Sequence, residues 1–205
     1  MSAAPVRRTQ AERREATIAR LLDATIDALA ERGYAGASVA EICRRAGLSQ
    51  GALFRHFDTR HAVIGAATDE IGRRHLARFV DAFPDMRAGG AVSKAVRFVH
   101  DTARSPAHAA WHEVMVAART DPDLRAHVRA PLERFEAALL RAVPEVLHVD
   151  GERAARLGVV FLSLAHMFDS EAVTFAVYPN PALEAARLEW ATAVLSDELR
   201  ALGLS

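Results

Sequence analysis

The chain has 205 residues, 51% of them apolar, and its 26 basic side chains balance its 26 acidic ones. That supplies a buried core and leaves no bulk charge to draw nucleic acid or a membrane surface. A single cysteine, Cys43, excludes an intramolecular disulfide and fits a reducing compartment.

The charge is uneven along the chain. Residues 1–60 hold ten Arg against seven acids, and residues 61–205 hold sixteen basic against nineteen acidic residues. The basic excess therefore sits at the N-terminal end. The opening MSAAPVRRTQAERREAT shows no apolar signal segment, and roughly its first eight to ten residues read as disordered. The longest apolar-rich run, Leu157–Phe168, is about 12 residues, short of the ~20 a spanning helix needs. These features predict a soluble, unsecreted, cytoplasmic protein with no membrane partner.

Helical periodicity recurs throughout, and no alternating strand pattern survives. Ile18, Leu21, Leu22, Ile26 and Leu29 form one stripe of a first helix, which ends at Gly33 in ERGY. Ser38 caps a short helix through Ala46, with Glu41 placed to complete a capping box. Gly47 ends it, Ser49 caps a second short helix through Phe57, and Asp58 or Thr59 caps a long one to about Phe83. Pro84 and Gly89–Gly90 mark a loop. Further helices are expected at 91–104, 106–119, 122–147, 151–178 and 182–203, punctuated by Pro106, Pro122, Pro144, Gly151, Pro179 and Pro181. The fold class is all-α, with about nine helices.

Two short helices around a Gly-containing bend make a helix-turn-helix. Leu48, Leu53 and Phe57 face inward. Gln50, Gly51, Ala52, Phe54, Arg55 and His56 remain on the outer face of AGLSQGALFRHFDTR. Gln50 can read adenine, Arg55 can read guanine or hold a phosphate, and Phe54 can meet a thymine methyl. Gly51 and Ala52 keep the helix slim enough to enter a groove. The N-terminus at Ser49, His56 and Arg60 suit phosphates.

The stretch Ala16–Ala67, with ERGY, SVAEICRRAGLS and GALFRHFDTRHAVI, resembles the N-terminal domain of the TetR family of transcriptional repressors. The likeness is close over about fifty residues and implies a helix-turn-helix DNA-binding domain at 1–62 and an effector-binding and dimerisation domain at 63–205. It implies base contacts from Gln50, Gly51, Ala52, Phe54 and Arg55, and phosphate contacts from Ser38, Ser49, His56 and Arg60. The family usually has Tyr at the position of Phe54, so a hydroxyl contact to phosphate is missing. Arg7 and Arg8 form either a minor-groove arm or a solvated tail.

In the C-terminal two-thirds, Leu157–Phe168 is apolar nearly all round, so one face should meet a partner. The last helix has two stripes, Leu188–Leu195–Leu199–Leu202 and Leu183–Ala186–Trp190–Val194. Pairing these helices with their copies gives a homodimer through Leu157, Leu164, Phe168, Leu188, Trp190, Leu195 and Leu199, as the resemblance also implies. Such a dimer would read a palindromic operator in double-stranded DNA. Phe79, Phe98, Trp111, Met115, Phe135, Phe161 and Met167 are core residues on the plain reading. On the family reading they line an effector cavity, with His112 and His166 as polar groups.

His108 and His112 lie four apart, but two imidazoles alone do not complete a metal shell, and no metal or cofactor is assigned. No phosphate loop, nucleophile elbow or Cys–His pair asks for catalysis. The expected function is a ligand-responsive, dimeric DNA-binding regulator, most simply a repressor released by a small, mostly apolar effector. An enzyme or carrier built on a helical bundle lacks a catalytic constellation, and a nonspecific architectural protein would need more positive charge.

Overall fold

A computed structural model describes residues 9–83 and 91–204. Among them are nine helices and no strand: α1 Gln10–Gly36, α2 Val39–Ala46, α3 Gln50–Phe54, α4 Arg60–Ala82, α5 Ala91–Ala103, α6 Pro106–Ala118, α7 Pro122–Leu147, α8 Gly151–Val177 and α9 Pro181–Ala201. The expected disordered start, Arg7, Arg8 and the loop from Pro84 to Gly90 lie outside the described residues.

The first helix begins on a complete capping box that the sequence reading missed: Thr9 Oγ1 accepts from Glu12 N, and Glu12 accepts from Thr9 N. At Ser38 only half of the expected box forms. Ser38 Oγ accepts from Glu41 N, but Glu41's carboxylate turns to Arg44 and Arg45 instead. Two guanidiniums within reach outcompete one backbone N–H for a carboxylate. Gly33 breaks α1 as expected, at φ 68° and ψ 177°, a conformation side-chain-bearing residues avoid. Gly47 closes α2 in the left-handed region. Arg20 also reaches across to the carbonyl of Ala46, a cation against the negative end of α2. The second helix of the pair is shorter than expected, five residues, capped by Ser49.

Two apolar cores are strung on α4. The first gathers Leu21, Leu29, Ile42, Leu53, Val63, Ile64 and Ile71 with Val114 of α6 and Leu124 of α7. The second gathers Phe79, Phe83, Val96, Leu139, Leu157, Leu164, Phe168, Leu195 and Leu199. The expected domain line at residue 62 falls at the head of α4, whose first half belongs to the N-terminal core. The helix-turn-helix therefore shares a packed interior with α6 and α7. Close packing of α7 on α4 depends on Gly65: a Cβ there would lie 2.7 Å from the His127 carbonyl oxygen.

Most residues expected at a homodimer interface are not exposed. Leu157, Leu164, Phe168, Leu195 and Leu199 are all buried within the protomer, and Leu188 packs half-buried against the same core. The leucine stripes are the inward faces of α8 and α9, because Leu at every third or fourth position seals the chain's own core first. Only Trp190 stays outside, at 55% exposure. The outward stripe of α8 is Val159, Ser163, Ser170, Val173 and Val177, and that of α9 is Leu183, Ala186 and Trp190. The apolar stretch in α8 also outruns the twelve residues expected. It is long and apolar enough to cross a membrane, yet only 17% of it is buried in the protomer. Its inner face is a core face that carries the buried Glu171, held by Arg104 and Arg187 at 2.9 and 2.8 Å.

Candidate functional site: a recognition face and a cavity

At the N-terminal end, Leu53 is fully buried and anchors α3. Leu48 and Phe57 pack half-buried on the same core. Gln50, Gly51, Phe54 and Arg55 are exposed, while Ala52, His56 and Arg60 are partly covered. The fold does not ask for glycine at 51: a Cβ there would meet nothing nearer than Ser49 Oγ at 3.9 Å. Ser49 Oγ already accepts from Ala52 N at 3.2 Å, and Ser38 is likewise committed to its cap. A five-residue helix sums too few peptide dipoles for a strong field at its N-terminus.

Much of the basic excess is spent inside the domain. Arg45 binds Glu31 and Glu41 at 2.8 and 2.7 Å, and Arg44 binds Glu41 at 2.8 Å. Those two arginines pull the Glu41 carboxyl down to about 2. Arg60 is likewise engaged, contrary to its expected freedom. Its Nε donates to Ala37 O at 2.9 Å, its Nη2 to Tyr34 O, and its guanidinium lies 4.2 Å from the Tyr34 ring centre. In this structure Arg60 holds the end of α1. Among the described residues no ion pair engages Arg55, which leaves its guanidinium exposed and uncommitted on α3's outer side.

Tyr34 is a junction that the sequence did not reveal. Its hydroxyl donates to Asp121 Oδ2 at 3.0 Å and sits 3.1 Å from His61 Nε2. Its backbone N–H donates to Glu113 Oε2 of α6 at 3.0 Å. Burial and the Asp121 carboxylate push its hydroxyl pKa up. One residue thus ties α1 to α4, α6 and the cap of α7.

At the other end lies a cavity of about 390 Å³, within the usual range for small-molecule sites. It is lined by Phe79, Phe98, Trp111, Met115, Phe135, Phe161 and His166 from the expected set, and by His75, Thr102, His108 and Asp169, which were not expected. Edge-to-face contacts hold the walls: Phe79 meets Phe98 and Phe161, and Trp111 meets Phe135. Met167 lies away from the cavity and packs on the core. His112 lines a neighbouring cleft that shares His108 and Asp169 as a wall.

The two imidazoles four apart on α6 turn to a carboxylate. His108 Nε2 lies 2.6 Å from Asp169 Oδ1, and His112 Nε2 lies 3.7 Å from Asp169 Oδ2. Burial raises the Asp169 pKa, but His108, His112 and His166 outweigh it and hold the carboxyl below its usual value. Among the described residues no group of three His, Cys, Asp or Glu is set to hold a metal. The partner of His108 was invisible in sequence because Asp169 comes from another helix, sixty-one positions away.

Residues 21–67 match the bacterial regulatory proteins of the tetR family. Over 193 residues, 94% of this chain and 99% of the relative, the sequence is 37% identical to an HTH-type transcriptional regulator of Mycobacterium tuberculosis. The chain belongs to the TetR family of transcriptional regulators. A solved transcriptional regulator from Rhodococcus sp. Rha1 matches with a TM-score of 0.62 at 26% identity, covering 90% of this chain and 96% of that one. A TetR-family regulator from Mesorhizobium loti matches in fold, with a TM-score of 0.72 at 16% identity over 92% and 98% of the two chains. This TetR-family protein is a DNA-binding helix-turn-helix regulator and not an enzyme.

Proposed function

We propose that this regulator is a cytoplasmic homodimer that represses transcription from a palindromic operator and is released when a small, mostly apolar effector fills the cavity. The observation that carries this reading is the placement of α6. Trp111 and Met115 line the cavity, while Glu113, on the opposite side of the same helix, accepts the Tyr34 N–H where α1 ends. A ligand that moves α6 therefore pulls on the helix that packs against the recognition unit. It can act only by binding one arrangement more tightly than the other.

In this reading Gln50 and Arg55 read base edges, Gly51 and Ala52 allow close approach, and Phe54 covers a thymine methyl. Ser38, Ser49 and His56 hold phosphates, and Arg60 adds a contact only by leaving Tyr34. The outward stripes of α8 and α9 supply the dimer face, because an apolar helix left so open in the protomer is covered at little expense by its own copy. Two recognition helices then meet successive major grooves about 34–36 Å apart.

Selection of binding sites from a random DNA pool by the purified protein, near physiological salt, tests this. An enriched palindrome of fixed half-site spacing is expected. Loss of enrichment from a folded, dimeric, ligand-free protein overturns the reading.

A further inference from the structure

Three residues of the cavity lining each carry a buried side-chain atom with no hydrogen-bond partner: His75 Nε2, His108 Nδ1 and Thr102 Oγ1. Folded proteins leave few buried polar atoms unpaired, and each one left calls for an explanation. Here they share a cavity whose other walls are aromatic. His75 is only 7% exposed, and its ring stacks on that of His108 with centroids 5.6 Å apart. The two free nitrogens thus belong to one corner.

The chemistry of that corner is selective. Asp169 accepts from His108 Nε2 at 2.6 Å, so Nε2 carries a proton and Nδ1 is the nitrogen left without a partner. Thr102 offers a hydroxyl that both donates and accepts. A carboxylate would sit one ring away from the Asp169 charge. A hydrocarbon would leave all three atoms orphaned. A hydroxyl donates to an imidazole nitrogen and accepts from Thr102.

We propose that the ligand is an uncharged molecule of the phenol or alcohol class, with a flat apolar body among Phe79, Phe98, Phe161 and Trp111 and its hydroxyl seated among His75, His108 and Thr102. This rests on the cavity being the effector site. Burial, with His108 and Arg78 nearby, pushes His75 down to about 4. Its ring is therefore neutral near pH 7 and gives a carboxylate no counter-charge.

Calorimetric titration of the full-length protein with para-propylphenol, propylbenzene and para-propylbenzoic acid tests the head group. The phenol should bind about tenfold tighter than the hydrocarbon, the value of one added hydrogen bond, and the acid should bind more weakly than the phenol. His75→Phe and Thr102→Val, each checked for fold by circular dichroism, should each erase several-fold of the phenol's advantage and leave propylbenzene within about twofold. Equal binding of phenol and hydrocarbon, or tightest binding of the acid, overturns the inference while the cavity reading stands. Binding of none of the three by a folded protein overturns the cavity reading and this inference with it.

Discussion

From Thr9 to Thr59, four hydroxyls each accept from a backbone N–H three residues on: Thr9 from Glu12, Ser38 from Glu41, Ser49 from Ala52 and Thr59 from Ala62. Around the cavity the polar contacts span the chain. His108 meets Asp169 over sixty-one positions, Arg104 meets Glu171 over sixty-seven, and His100 meets Glu184 over eighty-four. The N-terminal end caps its helices with local motifs, and Tyr34 then ties it to Glu113 and Asp121 across seventy-nine and eighty-seven positions. The cavity end is held by tertiary contacts, and three of its lining residues keep an unmatched polar atom, against His56 Nδ1 alone at the N-terminal end among the described residues. A recognition face can be rigid before its partner arrives, whereas a ligand site holds groups that its ligand completes.

The sharpest way to break this comparison is to place charge on the two faces of α8. Leu164→Glu buries a carboxylate in the second core and should destabilise the protein by more than about 4 kcal/mol in thermal or urea unfolding. Val173→Arg on the outward stripe should leave the protomer folded and dissociate the dimer by sedimentation. A dimeric Val173→Arg protein would move the interface elsewhere.

Next comes pH. His75 accepts a proton below pH 6.5 when unfolded but only near 4 when folded. Between these values the unfolded state binds the extra proton, so stability falls as the pH drops, by up to about 3 kcal/mol at 1.36 kcal/mol per unit. His75→Phe should flatten that acid limb relative to the parent. An unchanged limb would mean that His75 is accessible to water.

At the other end, Gln50→Ala and Arg55→Ala should each cost ~1–3 kcal/mol of operator binding and relax preference at specific bases, with thermal stability within about 0.5 kcal/mol of the parent. Unchanged DNA binding in both would remove α3 as the recognition helix. The smallest effect has two signs. Gly51→Ala should stabilise the fold by roughly 0.5–1 kcal/mol, since a Cβ fits and helix propensity rises, while weakening the operator complex.

The same contrast governs what was legible beforehand. Helix boundaries from α4 to α9 follow prolines, glycines and N-caps, so they were readable to within a few residues. The aromatic walls were readable as residues but not as walls, because nothing local separates Phe135, which lines the cavity, from Met167, which does not. The leucines expected at a dimer face are core residues instead, because period alone marks an apolar face without saying whether the core or a copy claims it. Tyr34, Asp169 and His75 act through partners on other helices, and no spacing rule reaches that far.

Cys43 is the only thiol in the chain. It sits in the first core at 4% exposure, where burial raises its pKa. Alkylation of the native protein must therefore wait for α2 to lift away. Its rate, compared with global unfolding, measures how often the DNA-binding end opens by itself and whether α4 lets the two cores melt separately. The protein carries, without any engineering, its own reporter of local opening.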